Sequence, residues 1–132
     1  MEYQFDNEKP IYIQLVELIK KEIVSGRMKS GEKIPSVREL AVQAKVNPNT
    51  VQKALAELER FGLIYTERTN GKYVTENTDI IKNYRNELIG ERVNSFLTDM
   101  INMGVGSEEI AEYLNQLKGD QNSETARMQK FI

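Results

Sequence analysis

The strongest constraint on the fold of this chain is a pair of helix-start signals that stand close together near its middle. Ser36 is followed three residues later by Glu39, which is the pattern of a capping box: the hydroxyl accepts from the amide of the third helical residue, and the carboxylate accepts from the amide of the cap. Asn47 is a natural N-cap, and Pro48 then takes the first helical position, where its missing amide costs nothing. The helix between the two signals is therefore short, and the pair predicts a helix-turn-helix.

Apolar residues recur at every third or fourth position in three segments, which predicts three helices with one buried face each. The first helix starts near Pro10 and ends at Gly26, the second starts at Ser36, and the third ends at Gly62. Residues 27–33 form a polar link. The expected core residues are Tyr12, Leu15, Val16, Ile19, Ile23, Val37, Leu40, Ala41, Ala44, Val51, Ala54, Leu55, Leu58 and Phe61.

The hydrophobic period changes after Gly62 from that of helices to that of strands. Two short runs, residues 63–65 and 72–74, flank residues 68–71, whose Asn-Gly pair is a strong hairpin signal. A β-hairpin directly after the third helix is a wing. The order of three helices and a hairpin predicts a winged helix-turn-helix domain over residues 1–77.

A long helical pattern returns in the C-terminal part near Asp79, and a last helix starts at Ser107 and stops at Gly119. Residues 120–132 are polar and lack periodicity, so we expect this tail to fray. The residues of the last helix expected to face inward are Ile110, Tyr113, Leu114 and Leu117. The predicted fold class is mainly α with a small β-hairpin, and residues 78–132 are expected to form a short helical dimerisation domain.

One broad apolar face runs along the long C-terminal helix. Its members are Leu88, Ile89, Val93, Phe96, Leu97, Met100 and Met103. Such a face could line a ligand or cofactor pocket, or it could be a core or a dimer seam. The two helices within residues 78–132 contain too few residues to enclose easily the roughly 300 Å³ or more of a small-molecule pocket. We therefore interpret the face as a dimer interface and expect no cofactor.

Composition restricts the chemistry that the chain can perform. It has no cysteine and no histidine, which removes thiolate nucleophiles, disulfides, the usual general base and the commonest transition-metal ligands. We therefore expect no enzyme activity, no catalytic residue and no bound metal. The polar, acidic N-terminus and the short apolar runs predict a cytoplasmic protein with no membrane contact.

Charge is distributed unevenly along the chain, although the formal net charge is only -2. Residues 27–72 contain nine Lys or Arg against five Glu, whereas residues 78–132 contain six basic and nine acidic residues. A modestly basic middle and an acidic tail suit a part that faces nucleic acid joined to a part that faces a protein partner.

A long run of the chain resembles the N-terminal domain of GntR-type bacterial transcription regulators. The matching pieces are Pro10-Ile11-Tyr12, residues 31–34 leading into Pro35-Ser36-Val37-Arg38-Glu39-Leu40-Ala41, residues 46–51 and residues 59–64. The short two-helix C-terminal part is similar to that of the YtrA-type subgroup, which implies dimerisation and control of a nearby transporter operon. The wing departs from the family, which often has Arg-Gly-x-Gly where this chain has Arg68-Thr69-Asn70-Gly71.

The resemblance implies which residues bind DNA, because a helix-turn-helix places the N-terminal turn of its second helix in the major groove. The expected contacts from that helix are Asn47, Asn49, Thr50, Gln52 and Lys53. Ser36 and Arg38 suit a phosphate, and the arginine of the family's matching motif is a DNA contact. The wing adds Arg68, Thr69, Asn70, Gly71 and Lys72. Plainer interpretations stay open: Ser36 and Asn47 as caps alone, and the wing, Gln52 and Lys53 as solvated surface.

Together these features predict a sequence-specific regulator that binds double-stranded DNA, as a homodimeric repressor on a palindromic operator. No small-molecule effector is required by the sequence. Two other classes of protein are alternatives. A winged-helix module that binds protein instead of DNA would carry acidic or apolar replacements in the recognition helix, and Asn49, Gln52 and Lys53 are neither. An enzyme would need a catalytic domain, as in the family's much longer aminotransferase-fused members.

Overall fold

The computed structural model describes the backbone of residues 1–128 and the side chains of residues 1–119. Its elements, in chain order, are α1 (Ile11–Val24), α2 (Val37–Ala44), α3 (Pro48–Arg60), β1 (Ile64–Glu67), β2 (Gly71–Val74), α4 (Thr78–Asn102) and α5 (Ser107–Met128). The two strands form one antiparallel sheet. The predicted element order and the mainly α fold class are confirmed. Across the described residues, no helix combines the length and the apolarity needed to cross a membrane.

Both predicted helix-start signals are confirmed. The Ser36 hydroxyl accepts a hydrogen bond from the Glu39 amide at 3.1 Å, and the Ser36 amide donates to the Glu39 carboxylate at 3.3 Å. At the start of α3, the Asn47 side chain accepts from the Asn49 amide at 2.8 Å. Lys45 has a left-handed φ of 57°, which ends α2 and turns the chain within a few residues toward α3.

One hydrophobic core joins α1, α2, α3 and the hairpin. Its fully buried large side chains are Leu15, Ile19, Ile23, Leu40, Val51, Leu55, Leu58, Leu63, Ile64 and Val74. The predicted faces of the three helices are thus confirmed, although Tyr12, Val37 and Phe61 are only partly buried at the margin. Each fully buried aliphatic side chain stabilises the domain by about 1.5–3 kcal/mol. Because one face of α2 and one face of α3 are buried in this core, the opposite faces of the two helices point toward solvent.

The link between α1 and α2, which was expected only to be polar, adds a third segment to the hairpin. The Ile34 amide donates to the Lys72 carbonyl at 2.9 Å. Lys33 forms an isolated antiparallel bridge with Tyr73. The link therefore runs beside β2 and supplies hydrogen bonds to the strand edge that β1 does not cover.

The chain divides into two compact units, Met1–Leu88 and Ile89–Ile132, and the division falls inside α4. From the sequence, the boundary was expected between residues 77 and 78. The difference arises because Ile80 and Tyr84, near the start of α4, pack against the core of the first unit. The beginning of α4 is therefore part of that unit.

The second unit contains the rest of α4, a turn and α5. Gly104 follows α4 with a φ of 80°, and α5 begins at Ser107 as predicted. The predicted stop at Gly119 is wrong, because the helix continues to Met128. A glycine inside a helix costs only about 1 kcal/mol and usually ends a helix by taking a positive φ, which Gly119 does not. The rest of the tail that was expected to fray, residues 129–132, lies outside the described residues.

Apolar side chains of the second unit are mostly exposed. α4, whose side chains are all described, contains no buried residue. In α5, Ile110 is buried, but Tyr113, Leu114 and Leu117 are 62%, 50% and 49% exposed. The expectation that these three residues face inward is wrong for the single chain. Two helices shield only one face of each other, so apolar residues beyond that face stay in contact with water.

Candidate nucleic-acid interface

The N-terminal turns of α3 present polar side chains to solvent. Val51, Ala54 and Leu55 are buried, which directs the opposite side of the helix outward. The predicted residues on that side, here called the α3 face, are Asn47, Asn49, Thr50, Gln52 and Lys53; all are exposed except Thr50, which is half-buried. A single helix fits a major groove about 12 Å wide, so these side chains can reach base edges.

The second predicted group lies at the start of α2. Ser36 and Arg38 are exposed, although Ser36 is engaged with Glu39 in the capping box. Arg38 borders a shallow groove of about 450 Å³, and the same groove is lined by Val46 of the turn and Pro48 of α3. The structure thus brings Arg38 beside the start of the recognition helix. Within the described residues no carboxylate pairs with Arg38, so its guanidinium is available to a phosphate.

The wing tip is formed by Arg68, Thr69 and Asn70, which connect β1 to β2 and are all exposed. Gly71 pairs with Glu67 at the end of the hairpin and has a φ of 102°, which residues with a side chain rarely adopt. Among the ion pairs found in the described part of the chain, none involves Arg68. The wing therefore ends in an unneutralised guanidinium.

Lys72, the last of the predicted wing residues, is held by its neighbours. Its ammonium donates to the Thr66 hydroxyl at 2.7 Å and to the Glu59 carboxylate at 3.3 Å. The hydrogen bond from Thr66, assisted by Lys72, holds the pKa of Glu59 below its ordinary value although desolvation opposes it. Because the Glu59 carboxylate lies beside this half-buried side chain, the charge of Lys72 is already partly neutralised on the free protein.

Two residues that the sequence analysis did not assign to the site lie next to it. Lys33 is exposed, and its Cε lies 3.4 Å from the position that a Cβ on Gly71 would take. Tyr12, which was expected only as a core residue, places its ring centroid 4.0 Å from the Lys53 ammonium. The positive charge of Lys33 was a weak signal in the sequence. For Tyr12 the sequence carried no such signal, because its partner is 41 positions away.

Carboxylates near the end of α3 are already paired with cations. The Arg60 guanidinium donates to Glu57 at 2.8 Å, and this hydrogen bond lowers the pKa of the Glu57 carboxyl. Glu59 is similarly engaged with Thr66 and Lys72. Negative charge on α3 is thus confined to its later turns and offset there. A short interhelical turn, a polar α3 face and an arginine-tipped hairpin are the parts of a winged helix-turn-helix DNA-binding domain.

Comparison with known proteins agrees with this class. The sequence profile described as "Bacterial regulatory proteins, gntR family" matches residues 11–74. The chain is 38% identical to the uncharacterized HTH-type transcriptional regulator YhcF of Bacillus subtilis (strain 168), over 85% of this chain and 93% of that protein. It is 40% identical to the HTH-type transcriptional repressor YtrA of the same organism, over 84% of this chain and 86% of YtrA. The chain belongs to the GntR family of bacterial transcription regulators.

Solved structures extend the match beyond the first unit. A GntR family transcriptional regulator from Listeria monocytogenes aligns with a TM-score of 0.78 at 42% identity, covering 85% of this chain and 98% of its own. The DNA-binding domain of AraR in complex with operator ORX1 aligns with a TM-score of 0.53 at 31% identity, covering 57% of this chain and 96% of its own. The chain is a DNA-binding transcription regulator with a winged-helix fold, and the proteins it matches are regulators and not enzymes.

Proposed function

We propose that this regulator is a homodimeric repressor that binds a palindromic operator in double-stranded DNA, with one α3 in each half-site. The observation that carries the proposal is the α3 face, a set of exposed polar side chains that a buried core holds outward. The relative YtrA is a named repressor, and the AraR domain is seen on its operator, which supports the same activity here. Dimers of this kind read half-sites about 34 Å apart or a multiple of that distance.

Sequence readout is assigned to the α3 face. Asn49 and Gln52 each carry a paired donor and acceptor that matches the edge of adenine, and Lys53 can donate to guanine or to a phosphate. Thr50, half-buried beside them, can donate its hydroxyl. Asn47 uses its carbonyl oxygen to accept from the Asn49 amide, so its side-chain NH₂ remains free to donate. Capping and DNA contact are therefore compatible at Asn47.

Phosphate contacts are assigned to the start of α2 and to the wing. Arg38 is exposed and unpaired among the described residues, and Ser36 opens the same helix beside it. The wing residues Arg68, Thr69, Asn70, Gly71 and Lys72 are assigned to the minor groove or the adjacent backbone. Lys33 extends this surface from the segment beside β2.

Dimerisation is assigned to α4. A coiled-coil seam has apolar residues at an alternating spacing of four and three. Five residues follow this spacing: Ile89, Val93, Phe96 and Met100 in α4, and Met103 directly after the helix ends. Leu88 and Leu97 flank them. Within the single chain, Ile89, Val93 and Phe96 are 46%, 48% and 43% exposed. Soluble proteins rarely leave such a continuous stripe in water. Burial of this stripe against a second copy would stabilise the dimer by about 25 cal/mol for each Å² removed from water.

The test uses the full chain with one charge placed on or off the seam. Phe96→Glu puts a carboxylate into the seam, whereas Ser95→Glu, the matched control, adds the same charge to the neighbouring position outside it. We expect Phe96→Glu to be a monomer by analytical ultracentrifugation and to lose specific binding to an operator selected in vitro with the unaltered protein. Ser95→Glu should keep both properties. A Phe96→Glu variant that remains dimeric, or an unaltered chain that is monomeric on its operator, contradicts the proposal.

The proposed target is a transporter operon, as the resemblance to YtrA-type regulators implies. The test is footprinting on the DNA upstream of the transporter genes nearest to the regulator's own gene. Protection of an inverted repeat, together with higher transcript levels after deletion of the regulator, is the expected result. Protection of other promoters alone would reject this target while leaving the operator-binding activity in place.

A further inference from the structure

Lys53, the cationic residue of the α3 face, does not extend freely into solvent. Its ammonium lies over the ring of Tyr12 in the first turn of α1, 4.0 Å from the ring centroid. That distance falls well within the range of about 6 Å over which a ring face attracts a cation. Within the described residues no carboxylate forms an ion pair with Lys53, although Glu57 lies near enough for the two charges to attract each other. The ring is the group over which the ammonium lies.

The same contact lies at the part of α3 that faces DNA in the proposed function. Tyr12 and Lys53 line one open cleft of about 280 Å³ with Ile11, Asn49 and Thr50. Asn49 and Thr50 belong to the α3 face, so the ammonium is held beside two groups assigned to readout. Tyr12 also packs against the core, which fixes its ring relative to α3.

We propose that Tyr12 is a positioning residue for DNA binding: its ring holds the Lys53 ammonium beside Asn49 and Thr50 before DNA arrives. This inference rests on the proposed function, because it assumes that the α3 face meets DNA. A lysine has a long, flexible stem and loses rotamer freedom when it binds. A ring that restricts the stem in the free protein removes part of that loss and so strengthens binding. The ammonium keeps donors that point away from the ring and remain available to a base or phosphate.

The first test detects the contact between the ring and the ammonium without DNA. In the free, full-length protein, ring current from Tyr12 should shift the ε-methylene protons of Lys53 upfield in the NMR spectrum. Tyr12→Phe should keep this shift because it keeps the ring, and Tyr12→Leu should abolish it while preserving an apolar side chain. An unshifted Lys53 signal in the unaltered protein overturns the inference.

The second test measures affinity for an operator fragment selected in vitro with the unaltered chain, across a series of salt concentrations. Tyr12→Leu should weaken binding about two- to fivefold, the range expected from an exposed cation–π pair. Tyr12→Phe, which keeps the ring, should bind as tightly as the unaltered chain. In a Lys53→Gln background, Tyr12→Leu should have no further effect. Thermal unfolding of each variant verifies that the fold is retained.

The outcomes separate this inference from the proposed function. If Lys53→Gln leaves affinity and salt dependence unchanged, Lys53 does not meet DNA, and both its assigned contact and the inference fail. If Lys53→Gln weakens binding but Tyr12→Leu weakens it equally in both backgrounds, the readout assignment stands and the positioning role is rejected. Tighter binding by Tyr12→Leu would mean that the ring holds Lys53 away from DNA. If Tyr12→Phe binds as weakly as Tyr12→Leu, the loss of affinity belongs to the hydroxyl and not to the ring. Either result also overturns the inference.

Discussion

Single polar residues at this interface serve the backbone and the surface at the same time. Ser36 and Asn47 each cap a helix, and each stands where DNA would meet that helix in the proposed function. Lys53 is held by an aromatic ring, and Lys72 by a carboxylate and a hydroxyl. The cations of the interface therefore differ in how much of their charge is available. Lys72 is the most neutralised of those whose contacts are described, because Glu59 lies beside it.

Glu59→Gln tests this charge balance. The pKa of Glu59 is lowered in the folded chain by the hydrogen bond from Thr66 and by Lys72. These contacts therefore stabilise the fold fully above the ordinary value of 4.5 and cease to do so as pH falls through the lower, folded value. Both side chains are partly exposed, so we expect the substitution to reduce the free energy of unfolding by less than about 1 kcal/mol at pH 7. Chemical denaturation should show this difference shrinking well below pH 4.5.

The same substitution should tighten operator binding, because it releases the Lys72 ammonium and removes a negative charge beside the wing. Glu57→Gln is the control, since it removes an equal charge from a pair with Arg60 that does not include the wing. Equal effects of the two variants on affinity would show that only net charge matters and that Lys72 is not a wing contact.

At the scale of elements, the helix-turn-helix is built from local capping interactions, whereas the wing depends on one backbone conformation. Gly71 ends the loop at a φ of 102° and pairs with Glu67 in the register of the hairpin. Thr69 stands where the family often has its first wing glycine, and it does not have a positive φ. Within residues 68–71 only Gly71 adopts that conformation. Three exposed residues connect the strands of the wing, so the loop is long enough to close with a single glycine.

Gly71→Ala should therefore destabilise the first unit by about 1 kcal/mol or more, because a Cβ is strained at this φ. Gly90→Ala is the control: this helical glycine has no atom within 4 Å of an added Cβ, and the change should stabilise α4 by about 0.5–1 kcal/mol. Differential scanning calorimetry measures both. A melting temperature raised by Gly71→Ala would show that the hairpin adopts another turn in solution.

At the scale of the whole molecule, a regulator with a net charge of -2 must bind DNA through a few well-placed cations. In the proposed function the first unit supplies them from α2, α3 and the hairpin, and residues 78–132 contain more acidic than basic residues. Non-specific attraction to DNA should accordingly be weak. In the proposed function, affinity then depends on joining two domains in a dimer, because a second contact made within one complex costs far less than an independent one.

Salt dependence measures this directly. If Lys33, Arg38, Lys53 and Arg68 of each protomer meet phosphates, the logarithm of affinity should fall with the logarithm of salt at a slope of about -7 for the dimer. Arg38→Ala should weaken binding evenly across operator sequences and reduce that slope by about two, one for each protomer. Lys82→Ala, an exposed cation on α4, is the control and should change neither quantity. A slope well beyond about -10 would reveal a basic surface that this assignment omits.

Local signals in the sequence were enough to predict most of the fold. The capping box at Ser36, the Asn47–Pro48 start of α3 and the hairpin near Gly71 each depend on residues only a few positions apart, and each appears in the structure. The predicted α3 face is exposed for the same reason, because helical periodicity alone decides which side of α3 enters the core. Its contacts with DNA stay a prediction.

Tertiary structure decided what depends on residues far apart in the chain. Tyr12 meets Lys53, and Lys33 reaches Gly71, only because the core packs α1 on α3 and lays the link beside β2. The division of α4 after Leu88 likewise depends on which of its side chains pack against the core of the first unit. The periodicity of the helix does not indicate where this division falls. Helix signals act over one turn, whereas these contacts require the whole core to form. The sequence could therefore determine the elements and their faces, and only packing could determine which faces meet.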